Sequence, residues 1–143
     1  MYYLAKREYD YAIRICAYLA GSGENSSFTI QQLASKLLIT KPFATKIIYQ
    51  LKKNKILKTI RGNKGGVSLS IAPTKLSLFQ IFESLGLAQM VSSCIAIDGF
   101  CPLPPPCKIH SFFIDQENEI IKKLKIHTIN EFAFTNADLK KQN

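Results

Sequence analysis

One uninterrupted stretch constrains the fold more than any other part of the chain: TIQQLASKLLITKPFATKIIYQLKKNKILKTIRGNKGGVSLSIA, residues 29–72. Thr29 with Gln32 three residues on forms a capping box that opens a helix carrying Leu33, Ala34 and Leu37 on one face. Leu38 and Ile39 close it as a turn. Thr40 is a second N-cap, and Pro42 sits in the first turn of the next helix, where no intrahelical N–H is lost. That helix reads KPFATKIIYQLKK, with Phe43, Ile47 and Leu51 on its core face, and Asn54 ends it. Two alternating strands follow, Ile56 to Ile60 and Val67 to Ile71, joined by a turn containing glycine and basic residues. Helix, turn, helix and basic hairpin predict a winged helix-turn-helix, in a fold that is mainly α with a small β-hairpin wing.

The same interval is acid-free. Between Glu24 and Glu83 there is no Asp or Glu, while Lys36, Lys41, Lys46, Lys52, Lys53, Lys55, Lys58, Arg61, Lys64 and Lys75 all fall inside it; the whole chain of 143 residues carries +9. Without the architecture such an interval would read as a solvated lysine-rich surface. With it, the natural partner is the phosphate backbone of double-stranded DNA, because each neutralised phosphate releases counterions. In this motif the second helix enters the major groove and the wing reaches backbone or minor groove. The candidate DNA contacts off the core stripe are Lys41, Pro42, Ala44, Thr45, Lys46, Tyr49 and Lys52, and on the wing Arg61, Asn63 and Lys64. Thr45 or Gln50 suits a base edge, and the lysines suit phosphates. In RGNKGG the glycines open backbone conformations closed to other residues and place Arg61 and Lys64 at the tip.

The second informative segment is CIAIDGFCPLPPPCKIH, residues 94–110, which holds three of four cysteines, four of six prolines and one of two histidines. No apolar run approaches the roughly 18–20 residues of a membrane helix, and YAIRICAYLAG is interrupted by Arg14, so neither a membrane span nor a signal peptide is expected and a cytoplasmic location is. In a reducing compartment, clustered cysteines favour metal ligation or redox chemistry over disulfides. Cys16 is separate: it shares a helical face with Tyr9, Ile13 and Ala20 and reads as a buried thiol. Ser77 and Gln80 cap LFQIFESLG. Beyond the cysteines, HSFFIDQENEIIKKLK carries Phe113, Ile120, Ile121 and Leu124, a stripe too long for this small core, which predicts a long dimerisation helix packed on its copy. Thr128 and Glu131 open a short C-terminal helical piece, and ADLKKQN reads as a frayed tail. The expected organisation is a DNA-binding unit over 1–86, a cysteine-rich loop over 87–110, helices over 111–135 and a tail over 136–143.

The helix-turn-helix, the wing Thr59-Ile60-Arg61-Gly62-Asn63-Lys64-Gly65-Gly66, the following helix and the three-cysteine loop together resemble the IscR/NsrR/CymR-type family of winged-helix bacterial regulators, over nearly the whole chain. The first helix, YDYAIRICAYLA, is similar to the family's own. The resemblance implies a homodimeric transcription factor, not an enzyme, that binds an imperfect palindrome and whose DNA affinity is controlled by an iron-sulfur cluster held by Cys94, Cys101 and Cys107. A [2Fe-2S] cluster is the first expectation and [4Fe-4S] the second. The spacing Cys94-x6-Cys101-x5-Cys107-x2-His110 is one residue longer in its first interval than the IscR-like pattern.

Two irons need a fourth protein ligand. His110 lies three residues after Cys107, one helical turn on, and an imidazole there resembles the IscR arrangement. Asp10 of the partner subunit is the alternative, as in NsrR-like members, although Asp10 also precedes Arg14 by the spacing of a surface ion pair. IscR-like recognition helices carry glutamate where this chain has Thr45, so their operators do not transfer. Two other regulator chemistries fit the cysteines: structural zinc, for which Cys3His is a familiar set, and a cluster-free thiol switch of the CymR-like kind. Cys107 and His110 as a catalytic pair lack an orienting third group.

Overall fold

In the computed structural model, residues 6–87, 92–95, 102–103 and 106–139 are described. The elements run α1 (Arg7–Gly21), α2 (Ile30–Leu37), α3 (Lys41–Lys53), β1 (Leu57–Ile60), β2 (Gly66–Leu69), α4 (Leu78–Ser84) and α5 (Lys108–Ile126), with 3-10 turns at Ser93–Ile95, Ile129–Phe132 and Asn136–Asp138.

The local signals act as expected. Thr29 accepts from the Gln32 N–H while the Gln32 side chain accepts from the Thr29 N–H, at 3.1 and 2.8 Å. Ser77 and Gln80 repeat this at the start of α4. Each pair satisfies backbone donors that a helix start leaves unpaired. Thr40 occupies the N-cap of α3 in extended conformation but makes no side-chain cap bond. Between α2 and α3, Leu38 takes the left-handed conformation, φ 56° and ψ 44°. The turn is fixed by Ile39 N–H donating to Ala34 O at 3.0 Å and by Arg14 Nη1 donating to Leu37 O at 3.0 Å. A cation thereby meets the orphan carbonyls of a helix C-terminus.

α3 buries Ala44, Ile47, Ile48 and Leu51. The core face is therefore rotated from the Phe43/Ile47/Leu51 stripe expected from periodicity. Phe43 lies at the rim, edge-on to Tyr11 with centroids 5.4 Å apart. Ala44, expected among the DNA contacts, is fully buried, and that expectation is corrected: its methyl fills the α3 core contact and cannot meet a base edge.

The wing is antiparallel, with Leu57 opposite Leu69 and Ile60 opposite Gly66. It also gains a third partner: Phe28 pairs with Val67, N–H to O at 3.1 Å and back at 2.7 Å. Gly66 is required there, since a Cβ would lie 2.5 Å from the Phe28 carbonyl. Ser27 Oγ donates to Lys64 O, tying the wing tip to the residue beside Phe28.

At the C-terminus, Thr128 and Glu131 open a 3-10 turn rather than an α-helix. The chain must straighten at once to lay Phe134 on Tyr18, centroids 5.7 Å apart. The expected tail is also shorter: Asn136–Asp138 forms another turn, capped by Asp138 accepting from Thr135 N–H at 2.7 Å, and Leu139 packs on the core.

Gly21 lies flat against the backbone of Phe134, where any Cβ would overlap the Phe134 carbonyl. Gly21→Ala is expected to destabilise the fold by about 1–3 kcal/mol through overpacking, seen as a melting temperature lower by roughly 3–10 °C. A melt unchanged from wild type would contradict the packing described.

Candidate nucleic-acid interface and thiol site

Along the exposed side of α3, Lys41, Pro42, Thr45, Lys46, Tyr49 and Lys52 face solvent, and Arg61, Asn63 and Lys64 do so on the wing. Their roles differ. Thr45 Oγ1 donates its proton to Lys41 O at 2.8 Å, so it offers lone pairs and a methyl rather than a donor. Lys46 Nζ is ion-paired with Glu8 on α1, which offsets part of its charge. Lys41, Lys52, Arg61 and Lys64 have no acid partner among the described residues and remain available for phosphate.

The thiol segment is described in part. Cys101, one of the three expected ligands, lies outside the described residues. Cys94 sits in the 3-10 turn Ser93–Ile95, with its N–H donating to Ser92 Oγ at 3.1 Å, so a segment expected to be irregular has a local turn at its first thiol. Cys107 is the N-cap residue of α5, and its carbonyl accepts from Ser111 N–H at 3.0 Å. His110, in the first turn of α5, turns its Nδ1 toward the earlier segment, 4.0 Å from Cys94 Sγ and 3.3 Å from Cys94 O. The structure therefore joins His110 to the first thiol, sixteen residues away in sequence. Cys94 and Cys107 are both half-buried and unpaired.

Donor chemistry and spacing suit a metal group. A thiolate and an imidazole on one tetrahedral metal stand roughly 3.6 Å apart, given bonds of about 2.3 and 2.0 Å, close to the 4.0 Å observed. Among the described residues, no three His, Cys, Asp or Glu side chains converge on one point. Asp10 is exposed on α1, and its side chain makes no ion pair with a described residue. Arg14, its expected neighbour, instead donates to Leu37 O and stacks 5.1 Å over Tyr11.

Sequence reasoning missed Arg14, Ser27 and Phe28 as parts that hold this surface in place. Phe28 alone left a signal, an aromatic residue immediately before a capping box, where a staple residue packs.

A cationic α3 set against a glycine-hinged basic wing, built on an α2–turn–α3 unit, defines a winged-helix DNA-binding regulator. Residues 5–134 match the Rrf2 family, described as an iron-dependent transcriptional regulator, and the chain belongs to that family. It is 24% identical over 132 residues to the HTH-type transcriptional regulator NsrR of Geobacillus kaustophilus, covering 92% of this chain and 90% of the relative. In fold it is similar to CymR, the global cysteine regulator of B. subtilis, with a TM-score of 0.75, 16% identity and coverage of 90% and 94%. The IscR of T. potens gives a TM-score of 0.71 at 17% identity, covering 87% of this chain and 82% of that one. The family is one of transcription regulators rather than enzymes, and no described helix is long and apolar enough to cross a membrane.

Cys16 has a different character from the other thiols. It is fully buried, and burial pushes its pKa from 9.0 up to about 12. The folded chain keeps this proton at a pH where the unfolded chain loses it. Its contribution to stability is therefore complete below pH 9.0 and drains as pH climbs toward about 12. At pH 8, iodoacetamide should label Cys94 and Cys107 in the folded, metal-free protein and reach Cys16 only after denaturant is added; peptide mass mapping that finds Cys16 of the folded protein labelled as fast as the others would contradict its burial.

Proposed function

We propose that this Rrf2-family chain is a cytoplasmic homodimeric regulator that binds an imperfect palindrome through α3 and the wing, with affinity set by an iron-sulfur cluster on Cys94, Cys101, Cys107 and His110. The observation that carries the cluster assignment is the approach of His110 Nδ1 to Cys94 Sγ, 4.0 Å, at the start of a helix whose N-cap is Cys107. Two ligand residues distant in sequence are thus already adjacent. Such a group, when bound, supplies a centre that responds to oxidation or to small ligands. Asp10 of the partner subunit remains the other candidate for the fourth position. In the organisation expected from sequence, residues 1–86 bind DNA, 87–110 hold the cluster and α5 dimerises.

Dimerisation is supported by α5 itself. None of its nineteen residues is buried within one chain, and Ile109 and Phe112 are more than half exposed. A 19-residue amphipathic helix in that state calls for a partner surface. Two-fold pairing would set two copies of α3 roughly 34 Å apart on one face of the duplex, which accounts for a palindromic site.

The second reading is a cluster-free thiol regulator, favoured by the half-buried, unpaired thiols and by the fold shared with CymR. Structural zinc is the third.

Anaerobic purification separates them. The cluster reading expects about two irons and two sulfides per subunit for [2Fe-2S], or about four of each for [4Fe-4S]. It also expects Cys107→Ala to bleach visible absorption while leaving the far-ultraviolet spectrum and dimer mass intact. Colourless protein containing zinc selects the zinc reading. Colourless, metal-free protein whose DNA affinity changes with peroxide and recovers with dithiothreitol selects the thiol reading. Independently, Arg61→Ala and Lys64→Ala should each reduce the slope of log affinity against log salt by about one unit if they neutralise phosphates; unchanged slopes would remove the wing from the interface.

A further inference from the structure

Between Arg7 and Ser84 the large apolar side chains are mostly inside. Among the described residues of that interval the exposed ones are Leu38, Tyr49 and Ile60, at 69%, 62% and 37%. They are not scattered. Leu38 is in the turn that leads into α3, Tyr49 is on the outer face of α3, and Ile60 ends β1 beside the wing tip. Those are the three pieces a winged helix-turn-helix turns toward a duplex. Among the described residues, the other exposed large apolar groups all lie at Leu103 or beyond.

Leu38 is the most informative of the three. Its φ of 56° is a conformation that L residues rarely adopt and glycine adopts freely. Two contacts hold the turn there, Arg14 Nη1 on Leu37 O and Ile39 N–H on Ala34 O. Core packing does not explain the side chain, because it points into solvent while Leu37 and Ile39 on either side are buried. Glycine would remove both the backbone strain and the exposed apolar surface. A large aliphatic group kept at a strained, solvent-facing position suggests an occupant for that surface.

The occupant follows from chemistry. The neighbouring exposed groups at the start of α3, Lys41 and Thr45, suit phosphates and polar base edges. An aliphatic group gains nothing from a phosphate, which it would only desolvate. The apolar group that base pairs offer in the major groove is the thymine 5-methyl. We propose that Leu38 is a specificity contact: its side chain meets a thymine methyl at the groove edge beside the N-terminus of α3, so that the chain selects A·T at one position in each half-site. The proposal rests on the DNA-binding reading and adds a residue and a base to it.

The test uses the full-length protein and an operator selected from randomised duplexes, with each thymine in turn replaced by uracil, which removes the methyl and keeps the pairing. Fluorescence anisotropy at fixed salt should show wild type losing roughly three- to fivefold in affinity, the worth of about one buried methyl, at one thymine per half-site. Leu38→Gly should bind thymine and uracil operators equally, at about the wild-type uracil value, while melting at a higher temperature than wild type. Leu38→Asn, which also tolerates the left-handed conformation, should lose the same discrimination and guards against a folding failure in the glycine variant. If no thymine is uracil-sensitive, or if both variants keep the wild-type preference, Leu38 is not the contact and DNA binding stands. A wild-type protein that binds no duplex overturns the proposal together with the DNA-binding reading.

Discussion

The interior position of α1 is the constraint on which the other elements depend. Ile15, Cys16, Ala17, Tyr18 and Leu19 are consecutive and all at most 3% exposed. At 3.6 residues per turn such a run sweeps more than a full circle, so this half of the helix must have neighbours on every side. They come from the whole chain: Phe28 and Phe134 flank Tyr18, Phe82 of α4 meets Tyr9 with centroids 5.0 Å apart, and Ile129 is fully buried in the same cluster. Recognition helix, wing root, α4 and C-terminal turn therefore share one support. An apolar stretch of this length could be mistaken for an export signal, but Arg14 in its middle has a structural use, and the apolar residues around it serve as the hub of the core.

Two polar contacts from α1 aim α3, and magnitudes show what each can do. The exposed Lys46–Glu8 pair is worth at most about 1 kcal/mol. Arg14 donating to Leu37 O is a charge-assisted bond of about 1.5–3 kcal/mol. Against these, burying Ile47, Ile48 and Leu51 contributes roughly 1.5–3 kcal/mol for each side chain. Apolar burial thus holds α3 on the core, and the polar contacts choose its register and entry angle. The proposed DNA-facing side of α3 is thus positioned largely by residues outside it, Arg14 and Glu8 on α1 and the buried Ile47, Ile48 and Leu51.

Much of this arrangement was legible because its signals are local. A threonine or serine followed three residues later by glutamine marks a helix start whatever the rest of the chain does, and both such boxes form. The hairpin was readable from its glycines. What failed depended on tertiary context. Ala44 was misplaced because its small side chain barely registers in hydrophobic periodicity, although it marks where the recognition helix comes closest to the core. The Phe28–Val67 bridge joins residues 39 positions apart, which no window of sequence contains. The C-terminal capping box correctly marked a start but not a helix type, since the chain had to dock Phe134 over Gly21. At the thiol segment the donor types were visible from composition, whereas the approach of His110 to Cys94 rather than to Cys107 alone required the path of the fold.

α5 links the two halves of the proposed mechanism. Its N-terminal end carries Cys107 and His110, and its C-terminal end is fastened to the segment between the wing and α4. Leu78 N–H donates to His127 O at 3.0 Å, Ile129 N–H to Leu76 O at 2.8 Å, and Asn130 N–H to Pro73 O at 3.3 Å. That segment begins four residues after β2 ends at Leu69. A helix of 19 residues spans about 28 Å at 1.5 Å per residue, so a change at the cysteine end would reach the wing root as a torque on those three hydrogen bonds. Within its own chain α5 is packed on one side only: Phe113, Ile120, Ile121 and Leu124 are half-buried, and none of its residues is fully buried. In the dimer proposed above, a second copy would supply the missing packing and restrict α5 to the few positions that pair well. With the proposed cluster bound at its N-terminal end, α5 would be a rod fastened at both ends, suited to carry a local chemical change to the spacing of the two α3 helices of the proposed dimer.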